Sequence, residues 1–278
     1  MSVITFWDDG KKETGKTLSM VAIATYMAIE HNYKILVIST GYKDKALNNC
    51  FWKEKKVKKS FGLFGPNTKV EMEDGISGLN KIMKSNKLSP EIITNYTKIV
   101  FKERLEIIQA YNGIDSEYEE IAKNYSDIIK IANNYYDLIF VDLDKSLPKE
   151  VSEKMIENTD LVVANIDQGI MGVDEFMETR EKTPTLSTKK TLILVGKHDK
   201  DSKYTAKNIT RYLGEKNKIL TIPYNTLFFE ASEEAAIPDL FLRLRKVDSE
   251  DINGYFMGEV KRASENIVYR LQDLQMRM

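Results

Sequence analysis

The stretch Gly10-Lys11-Lys12-Glu13-Thr14-Gly15-Lys16-Thr17 decides the fold of this chain, because it fits the phosphate-loop pattern G-x-x-x-x-G-K-[ST]. In such a loop, backbone N–H groups and the N-terminus of the following helix surround the phosphate oxygens. The pattern directs the Lys16 ammonium to the β- and γ-phosphates and the Thr17 hydroxyl to Mg²⁺. The expected nucleotide contacts are this whole stretch and Leu18, the residue after it.

The residues on either side of the loop have the order that the motif requires. Residues 2–7 (SVITFW) predict a strand, and residues 18–30 (LSMVAIATYMAIE) predict an apolar helix without glycine or proline. Strand, loop and helix is the context in which the pattern binds phosphate. The alternative, an unrelated lysine-rich turn, is disfavoured by this context.

The composition excludes several classes of protein. The chain has 278 residues, 42% hydrophobic and 30% charged, which suits one large α/β domain or two small ones. Its 41 basic and 42 acidic residues nearly cancel, so the overall charge gives no sign of nucleic-acid binding. One cysteine, Cys50, and two histidines predict no intrachain disulfide, no structural zinc and a reducing cytosol. We also expect no signal peptide and no membrane span.

Short apolar runs alternate with helical patterns along the chain. Near-continuous apolar strands separated by helices indicate a parallel sheet that is covered on both faces. We therefore expect an α/β fold with a doubly wound, mostly parallel sheet and the phosphate loop at the carboxyl end of the first strand. The further predicted strands cover residues 33–39, 104–109, 137–142, 161–165, 191–195 and 218–222.

A longer segment, residues 43–101, separates the second and third of these strands. Residues 76–84 and 90–101 predict helices, and residues 61–66 (FGLFGP) predict a loop. The chain contains no internal repeat and no low-complexity linker. We therefore expect a single domain over residues 1–278, with a helical insertion at about 43–101 and an amphipathic C-terminal helix at about 259–278.

The strand at 137–142 (DLIFVD) ends in Asp142 and is the candidate for the second nucleotide motif, Walker B. A carboxylate at the end of an apolar strand can bind Mg²⁺, directly or through water, beside the phosphate loop. We therefore assign the metal to Thr17 and Asp142, with Asp144 as a weaker candidate. The alternative is an acidic strand end that caps the next helix.

With its second lysine, the loop resembles the deviant Walker A motif of the ParA/MinD superfamily, G-K-G-G-x-G-K-[ST]. Gly10, Lys11, Gly15, Lys16 and Thr17 match that motif. The resemblance extends over residues 1 to about 236, and the layout is similar to the CpaE/TadZ pilus-localisation branch, with plasmid-partition relatives as the alternative. It implies ATP and Mg²⁺ as cofactors and an ATP-dependent homodimer.

In that family the first lysine crosses the dimer to the partner's phosphates. The implied catalytic residues here are therefore Lys11, Lys16 and Asp142. The alternative for Lys11 is a solvated loop residue.

Three departures from the family pattern concern the nucleotide. Lys12 and Glu13 replace two glycines, and glycine permits positive φ and close backbone approach to a ligand. Where relatives have a D-x-D pair after the second strand, this chain has Ser39, Thr40 and Gly41, so we expect slow hydrolysis. Gly196 replaces an asparagine that contacts adenine in relatives.

The segment Ile222-Pro223-Tyr224-Asn225 resembles an element that lies over the base in that family. Pro223 and Asn225 are therefore candidate base contacts, and a simple turn after Pro223 is the alternative. His198, which stands alone in the sequence, is expected at the surface.

Two surface features bear on partners. The run Lys53-Glu54-Lys55-Lys56-Val57-Lys58-Lys59 follows Phe51-Trp52 and could bind DNA non-specifically, although a lysine run is more often a solvated face. The C-terminal residues Ile267, Val268, Leu271, Leu274 and Met278 form one apolar helical stripe. MinD-type relatives end in a membrane-binding helix, but this pattern favours packing on the domain or on a partner helix.

These observations support three hypotheses. The first is an ATP-dependent dimeric switch in the cytoplasm, peripheral to nucleoid or inner membrane, which positions a plasmid, mobile element, pilus or secretion assembly and is read or stimulated by a protein partner. The second is a degenerate scaffold that binds nucleotide weakly or not at all, motivated by the missing D-x-D pair. The third, a metabolic or kinase-like enzyme, has no second motif to support it.

Overall fold

The computed structural model describes residues 1–53, 75–85, 89–188 and 190–276. Within these residues, eight strands form one sheet with the order β3-β4-β2-β5-β1-β6-β7-β8. Seven of these strands run parallel to one another, and the edge strand β3 pairs antiparallel with β4. The strands are β1 Ser2–Trp7, β2 Ile35–Ser39, β3 Lys98–Phe101, β4 Leu105–Ile108, β5 Leu138–Asp142, β6 Leu161–Ile166, β7 Thr191–His198 and β8 Leu220–Pro223.

Helices cover both faces of the sheet, which explains why its central strands are apolar throughout. β2, β5 and β6 are buried at every position. The described helices are α1 Lys16–Glu30, α2 Ala46–Asn49, α3 Ile76–Lys84, α4 Pro90–Ile93, α5 Asp115–Ala132, α6 Lys149–Asn158, α7 Ile170–Lys182, α8 Ala206–Tyr212, α9 Thr226–Glu233, α10 Ile237–Leu244 and α11 Ile252–Gln275, with short 3₁₀ turns at Thr94–Tyr96 and Pro184–Ser187.

In the described residues, the core has three apolar clusters. Residues of α1, α9, α10 and α11 belong to the first, residues of α3, α5 and α6 to the second, and residues of α7 and α8 to the third. Parallel strands with helical crossovers bring all their carboxyl ends to one edge of the sheet. The expected doubly wound sheet is confirmed, and the loops after β1, β2, β5, β7 and β8 therefore meet at that edge.

The prediction of a helix over residues 90–101 was wrong in its second half. The helix ends at Ile93, a 3₁₀ turn follows at Thr94–Tyr96, and the chain then enters β3. The β3 sequence KIVF is rich in β-branched and aromatic residues, which suit a pleated surface. Pairing with β4 decides the structure here, whereas α3 lies where the sequence predicts it. The predicted loop at 61–66 lies outside the described residues.

The C-terminal helix is longer than expected, and its apolar stripe is buried. α11 begins at Ile252, where the Asp251 side chain accepts a hydrogen bond from the Asn253 N–H (2.7 Å). Ile267 and Leu271 are 0% and 5% exposed in the cluster that includes α1. This stripe packs on the domain, which is the arrangement that its pattern favours over membrane contact; Met278 lies outside the described residues. Among those residues, no helix has the length and apolarity of a membrane span.

Candidate nucleotide-binding site

The phosphate loop connects β1 to α1 and depends on two glycines with positive φ. Gly10 has φ 68° and Gly15 has φ 75°, and Gly15 is the last residue before α1. Asp8, at the end of β1, holds the loop: its carboxylate accepts hydrogen bonds from the Gly10 N–H (3.2 Å) and the Thr14 hydroxyl (3.0 Å). Asp8 thus ties the first and the fifth residue of the loop to the end of β1.

Lys16 lies beneath the loop as a buried cation. It is 8% exposed, its Nζ lies 3.1 Å from Asp142 Oδ1 and 3.9 Å from Asp8 Oδ1, and it donates a hydrogen bond to the Leu143 carbonyl. Burial alone would lower the pKa of Lys16, but the carboxylates of Asp142 and Asp8 reverse that effect and the pKa is raised. Lys16 is therefore charged at neutral pH and available to an anionic phosphate.

Thr17 and Asp142 lie together, as a magnesium site requires. The Thr17 hydroxyl donates to Asp142 Oδ2 (2.8 Å), while the buried Asp142 Oδ1 pairs with the Lys16 ammonium (3.1 Å). A buried carboxylate with spare acceptor capacity beside a hydroxyl is a hard oxygen donor set that fits Mg²⁺. These two residues are the ones that would hold the metal, which would neutralise phosphate charge when bound.

The charged residues that interrupt the glycine-rich part of the loop form ion pairs with neighbouring elements. Lys12 Nζ lies 3.8 Å from Asp167 Oδ2 and 3.4 Å from Glu175 Oε2. Glu13 Oε2 lies 3.4 Å from Lys197 Nζ and its side chain is 95% exposed. Water therefore screens the Glu13 charge, which weakens the repulsion that this carboxylate would exert on a bound phosphate.

Lys11 remains at the rim of the site. Its Nζ lies 3.9 Å from Asp9 Oδ2, and 53% of its side chain is exposed. This exposure suits a side chain that must reach a group outside its own chain. The described contacts do not test the cross-dimer role, which stays a prediction.

The sequence did not predict that Gly196 and Lys197, at the end of β7, contact the phosphate loop. A Cβ at position 196 would lie 2.2 Å from the Thr14 carbonyl oxygen, so only glycine fits there. Lys197 has φ 51°, unusual for a residue with a side chain, and its Cγ would lie 3.0 Å from a Cβ at Gly15. A glycine inside an otherwise β-branched strand was the available signal for this close approach.

Both the oxygen and the nitrogen of the Asn225 side-chain amide make hydrogen bonds within the protein. Asn225 is 4% exposed, its Oδ1 accepts from the Phe228 N–H (2.9 Å) as the cap of α9, and its Nδ2 donates to Asn253 Oδ1 (2.9 Å). This arrangement favours the alternative, a turn after Pro223, over a base contact. Pro223 and Leu18 border the space beside the loop together with Lys197.

His198 is buried, which corrects the expectation of a surface position. It is 5% exposed at the end of β7, and neither ring nitrogen has a hydrogen-bond partner among the described residues. Burial lowers the pKa of His198 even though the nearby carboxylates Glu259 and Asp199 act in the opposite direction. The strand continues three residues beyond the predicted end at 195, and this extension takes His198 into the interior.

The end of β2, where the resembling family has two aspartates, carries hydroxyl groups instead. Ser39 is the register partner of Asp142, and the Thr40 hydroxyl donates to the Asp142 carbonyl (2.9 Å) and accepts from the Asp144 N–H (2.9 Å). Thr40 is 0% exposed. The loop after β2 is therefore tied to the loop after β5 by neutral hydrogen bonds, with no carboxylate from Ser39, Thr40 or Gly41.

Three tyrosines cover this connection. Tyr42, Tyr111 and Tyr118 form a stack, with ring centroids 4.9 Å apart for Tyr42 and Tyr118 and 6.2 Å apart for Tyr111 and Tyr118. The Tyr118 hydroxyl donates to the Thr40 carbonyl (2.7 Å) and lies 2.9 Å from Ser146 Oγ. Burial raises the pKa of Tyr118 to about 12, so this hydroxyl remains a donor at neutral pH.

The basic run proposed for DNA contact lies outside the described residues beyond Lys53. Of the two aromatic residues before it, Phe51 is 8% exposed and belongs to the core, so it cannot stack on a nucleic-acid base. The Trp52 ring lies 5.5 Å from Lys98 Nζ. The structure therefore removes one of the two aromatic groups from that hypothesis.

The sheet, its strand order and the loop after β1 define a P-loop α/β fold. The chain is similar to the crystal structure of a ParA family ATPase from Chlorobium tepidum (15% identity, TM-score 0.70, 95% of this chain and 98% of that one). It is also similar to the septum site-determining protein MinD of Pyrococcus horikoshii in complex with Mg-ADP (12% identity, TM-score 0.64, 97% of this chain and 98% of that one).

A third similar structure is a putative plasmid partition protein from Borrelia burgdorferi bound to AMPPNP (17% identity, TM-score 0.60, 99% of this chain and 98% of that one). No protein-family model and no curated protein matches the sequence. At these identities the likeness establishes the fold, which is that of ParA/MinD ATPases. It confirms the fold that the phosphate loop predicts.

Proposed function

We propose that this chain is an ATP-dependent switch of the ParA/MinD type. The observation that carries the proposal is the cluster of Lys16, Thr17 and Asp142, in which a buried cation, a hydroxyl and a carboxylate meet directly under a phosphate loop. Lys16 and Thr17 begin α1 and Asp142 ends β5, so two segments at one sheet edge bring together the three groups that a Mg²⁺–nucleoside triphosphate requires. The same fold in other proteins binds Mg-ADP and AMPPNP, which supports the choice of ligand.

In this proposal, ATP favours a homodimer and Lys11 from each chain contacts the nucleotide of the other. The half-exposed position of Lys11 at the loop rim supports this role. The dimer docks a protein partner and positions a plasmid, mobile element, pilus or secretion assembly at the nucleoid or the inner membrane face. Hydrolysis then releases the partner.

Hydrolysis in this chain is expected to be slow, because the end of β2 supplies hydroxyl groups where a water-orienting carboxylate would be needed. The Thr40 hydroxyl already donates to the Asp142 carbonyl and accepts from the Asp144 N–H, and a neutral hydroxyl is a weaker acceptor than a carboxylate for an attacking water. This observation also favours a second candidate function, a scaffold that binds nucleotide for structural reasons and does not turn it over. The two candidates differ in whether ATP changes the oligomeric state.

The test is light scattering on a sizing column with Mg²⁺ and either ADP or a slowly hydrolysed ATP analogue. The switch predicts a monomer with ADP and a dimer with the analogue. Lys11→Ala should bind the analogue and remain monomeric. Lys12→Ala, which removes the same charge from the neighbouring ion-paired position, should still dimerise.

Two outcomes would contradict the switch. One is the same mass with both nucleotides, which would favour the scaffold. The other is a Lys11→Ala protein that dimerises as well as the unmodified chain, which would remove the cross-dimer role. A Lys16→Ala protein serves as the non-binding reference in each case.

A further inference from the structure

We propose that the nucleotide site selects for the phosphates and tolerates different bases, with Lys197 as the main polar side chain beside the base. This inference rests on the proposed function. The base would lie beside the loop in the space bordered by Leu18 and Lys197 on one side and by Pro223 and Phe229 on the other.

The groups that could distinguish one base from another are already engaged. A base is identified by a fixed pattern of donors and acceptors, which side-chain amides match best. Asn225 uses both its amide oxygen and its amide nitrogen inside the protein. Gly196 has no side chain, and the Tyr224 N–H donates to the His198 carbonyl (3.1 Å).

Lys197 is free to contact a base but does not distinguish between bases. Its stem packs against Gly15, and 44% of its side chain is exposed. Within the part of the chain that the structure describes, its Nζ forms one ion pair, at 3.4 Å with the exposed Glu13. An ammonium group donates and never accepts. Every nucleobase offers acceptor atoms, so this group attracts all of them.

The aromatic residues at this site are equally tolerant. Tyr224 and Phe229 are 53% and 47% exposed beside Pro223, although large aromatic groups are normally buried. Stacking on an aromatic ring tolerates every base, because each base has a π-face. The Tyr224 hydroxyl can either donate or accept, so it also matches any base. These two residues therefore offer contact area without selecting one base over another.

The size of the cavity decides how strongly a wrong base could be rejected. The cavity between Lys197 and Phe229 has a volume of about 40 Å³, whereas sites that enclose a ligand usually measure about 300–1,000 Å³. A base would therefore lie against its mouth, where water can satisfy unmatched polar atoms. Strong discrimination, about 10⁴-fold, requires unmatched groups that are buried.

The test is competition of Mg²⁺ complexes of ATP, GTP, CTP and UTP against a fluorescent ATP derivative on the full chain. We expect affinities for ATP and GTP within about fivefold of each other, and pyrimidine nucleotides within about twentyfold. A preference for ATP above about 100-fold would overturn the inference. If none of the four competes and Lys16→Ala behaves like the unmodified chain, the proposed function itself fails.

Lys197→Met keeps the apolar stem over Gly15 and removes the charge. It should weaken binding of all four nucleotides by a similar factor of about three to ten, consistent with one lost charged hydrogen bond. Lys207→Ala, on the exposed surface of α8, is the matched control and should change none of them. Unchanged affinities in Lys197→Met, or loss for one base alone, would contradict the assigned role of Lys197.

Discussion

Two adjacent strand ends in this sheet differ in chemistry although they lie side by side. At the end of β5, Asp142 forms a buried, charged cluster with Lys16 and Thr17. At the end of the neighbouring strand β2, Ser39 is the register partner of Asp142. Ser39 and Thr40 offer hydroxyl groups there, and a stack of tyrosines covers them. In the proposed function, the first end would hold a nucleotide, and the second lacks the carboxylate that would orient an attacking water.

Binding and turnover can therefore depend on different strand ends of one site. Charged groups at the end of β5 would stabilise phosphate and metal whether or not hydrolysis follows. The neutral network at the end of β2 instead stabilises the loops themselves, because each of its polar groups bonds to a neighbouring backbone.

The largest expected effect comes from breaking the charged cluster at β5. Asp142→Ala leaves the Lys16 ammonium buried with only Asp8, at 3.9 Å, as a carboxylate partner. Removing one partner of a buried pair costs about 3–5 kcal/mol. Chemical denaturation should show a loss of this size, together with loss of nucleotide binding.

Asp144→Ala, two residues further along, is the control for that experiment. The Asp144 side chain accepts a hydrogen bond from the Ser146 N–H at the surface, so its loss should cost below about 1 kcal/mol. Equal destabilisation by the two variants would show that the buried ion pair of Asp142 contributes no more to stability than the surface hydrogen bond of Asp144.

The second prediction concerns the contact between β7 and the phosphate loop. Gly196→Ala places a Cβ where the Thr14 carbonyl oxygen lies, 2.2 Å away, and should cost about 1–3 kcal/mol and weaken nucleotide binding. Gly258→Ala, in an open position of α11, should stabilise the chain by about 0.5–1 kcal/mol. A Gly196→Ala protein as stable as the unmodified chain would show that the loop is not held by β7.

The third prediction tests the neutral network at β2. Tyr118→Phe removes the donor to the Thr40 carbonyl and should reduce the free energy of unfolding by about 1–2 kcal/mol, since a buried acceptor loses its partner. Nucleotide affinity should stay nearly unchanged. Tyr269→Phe, at a residue that is 68% exposed on α11, is the control. Loss of nucleotide binding in Tyr118→Phe alone would show that the two strand ends are functionally coupled.

The smallest expected effect is the pH dependence from His198. Its pKa is lowered from an ordinary value of 6.5 by burial, so the unfolded chain takes up a proton that the folded chain resists. The contribution of neutral His198 to the free energy of unfolding is therefore fully present above pH 6.5 and is lost as the pH falls below that value. The difference between the denaturation midpoints at pH 7.5 and pH 5.5 should be smaller in His198→Asn than in the unmodified chain. His31→Asn should keep the original difference. The same pH dependence in both variants would contradict this assignment.

The sequence predicted the parts of this molecule that depend on local pattern. The phosphate loop, the apolar strands and Asp142 each follow from residues that are close together in the chain. The long-range contacts did not follow. The second half of residues 90–101 became β3 because β4 was available to pair with it, and Asn225 became a helix cap bonded to Asn253. The approach of Gly196 to Thr14 depends on two segments that meet only in the fold.

Retention and turnover of nucleotide can be measured together by incubating the protein with γ-labelled ATP and Mg²⁺. Bound nucleotide and released phosphate are recorded in the same sample. If the end of β5 binds and the end of β2 fails to activate water, ATP is retained and turnover is of the order of 10⁻² s⁻¹ or slower. Lys16→Ala retains none. No retention by the unmodified chain, or turnover of about 10 s⁻¹, a typical enzyme rate, would contradict the account.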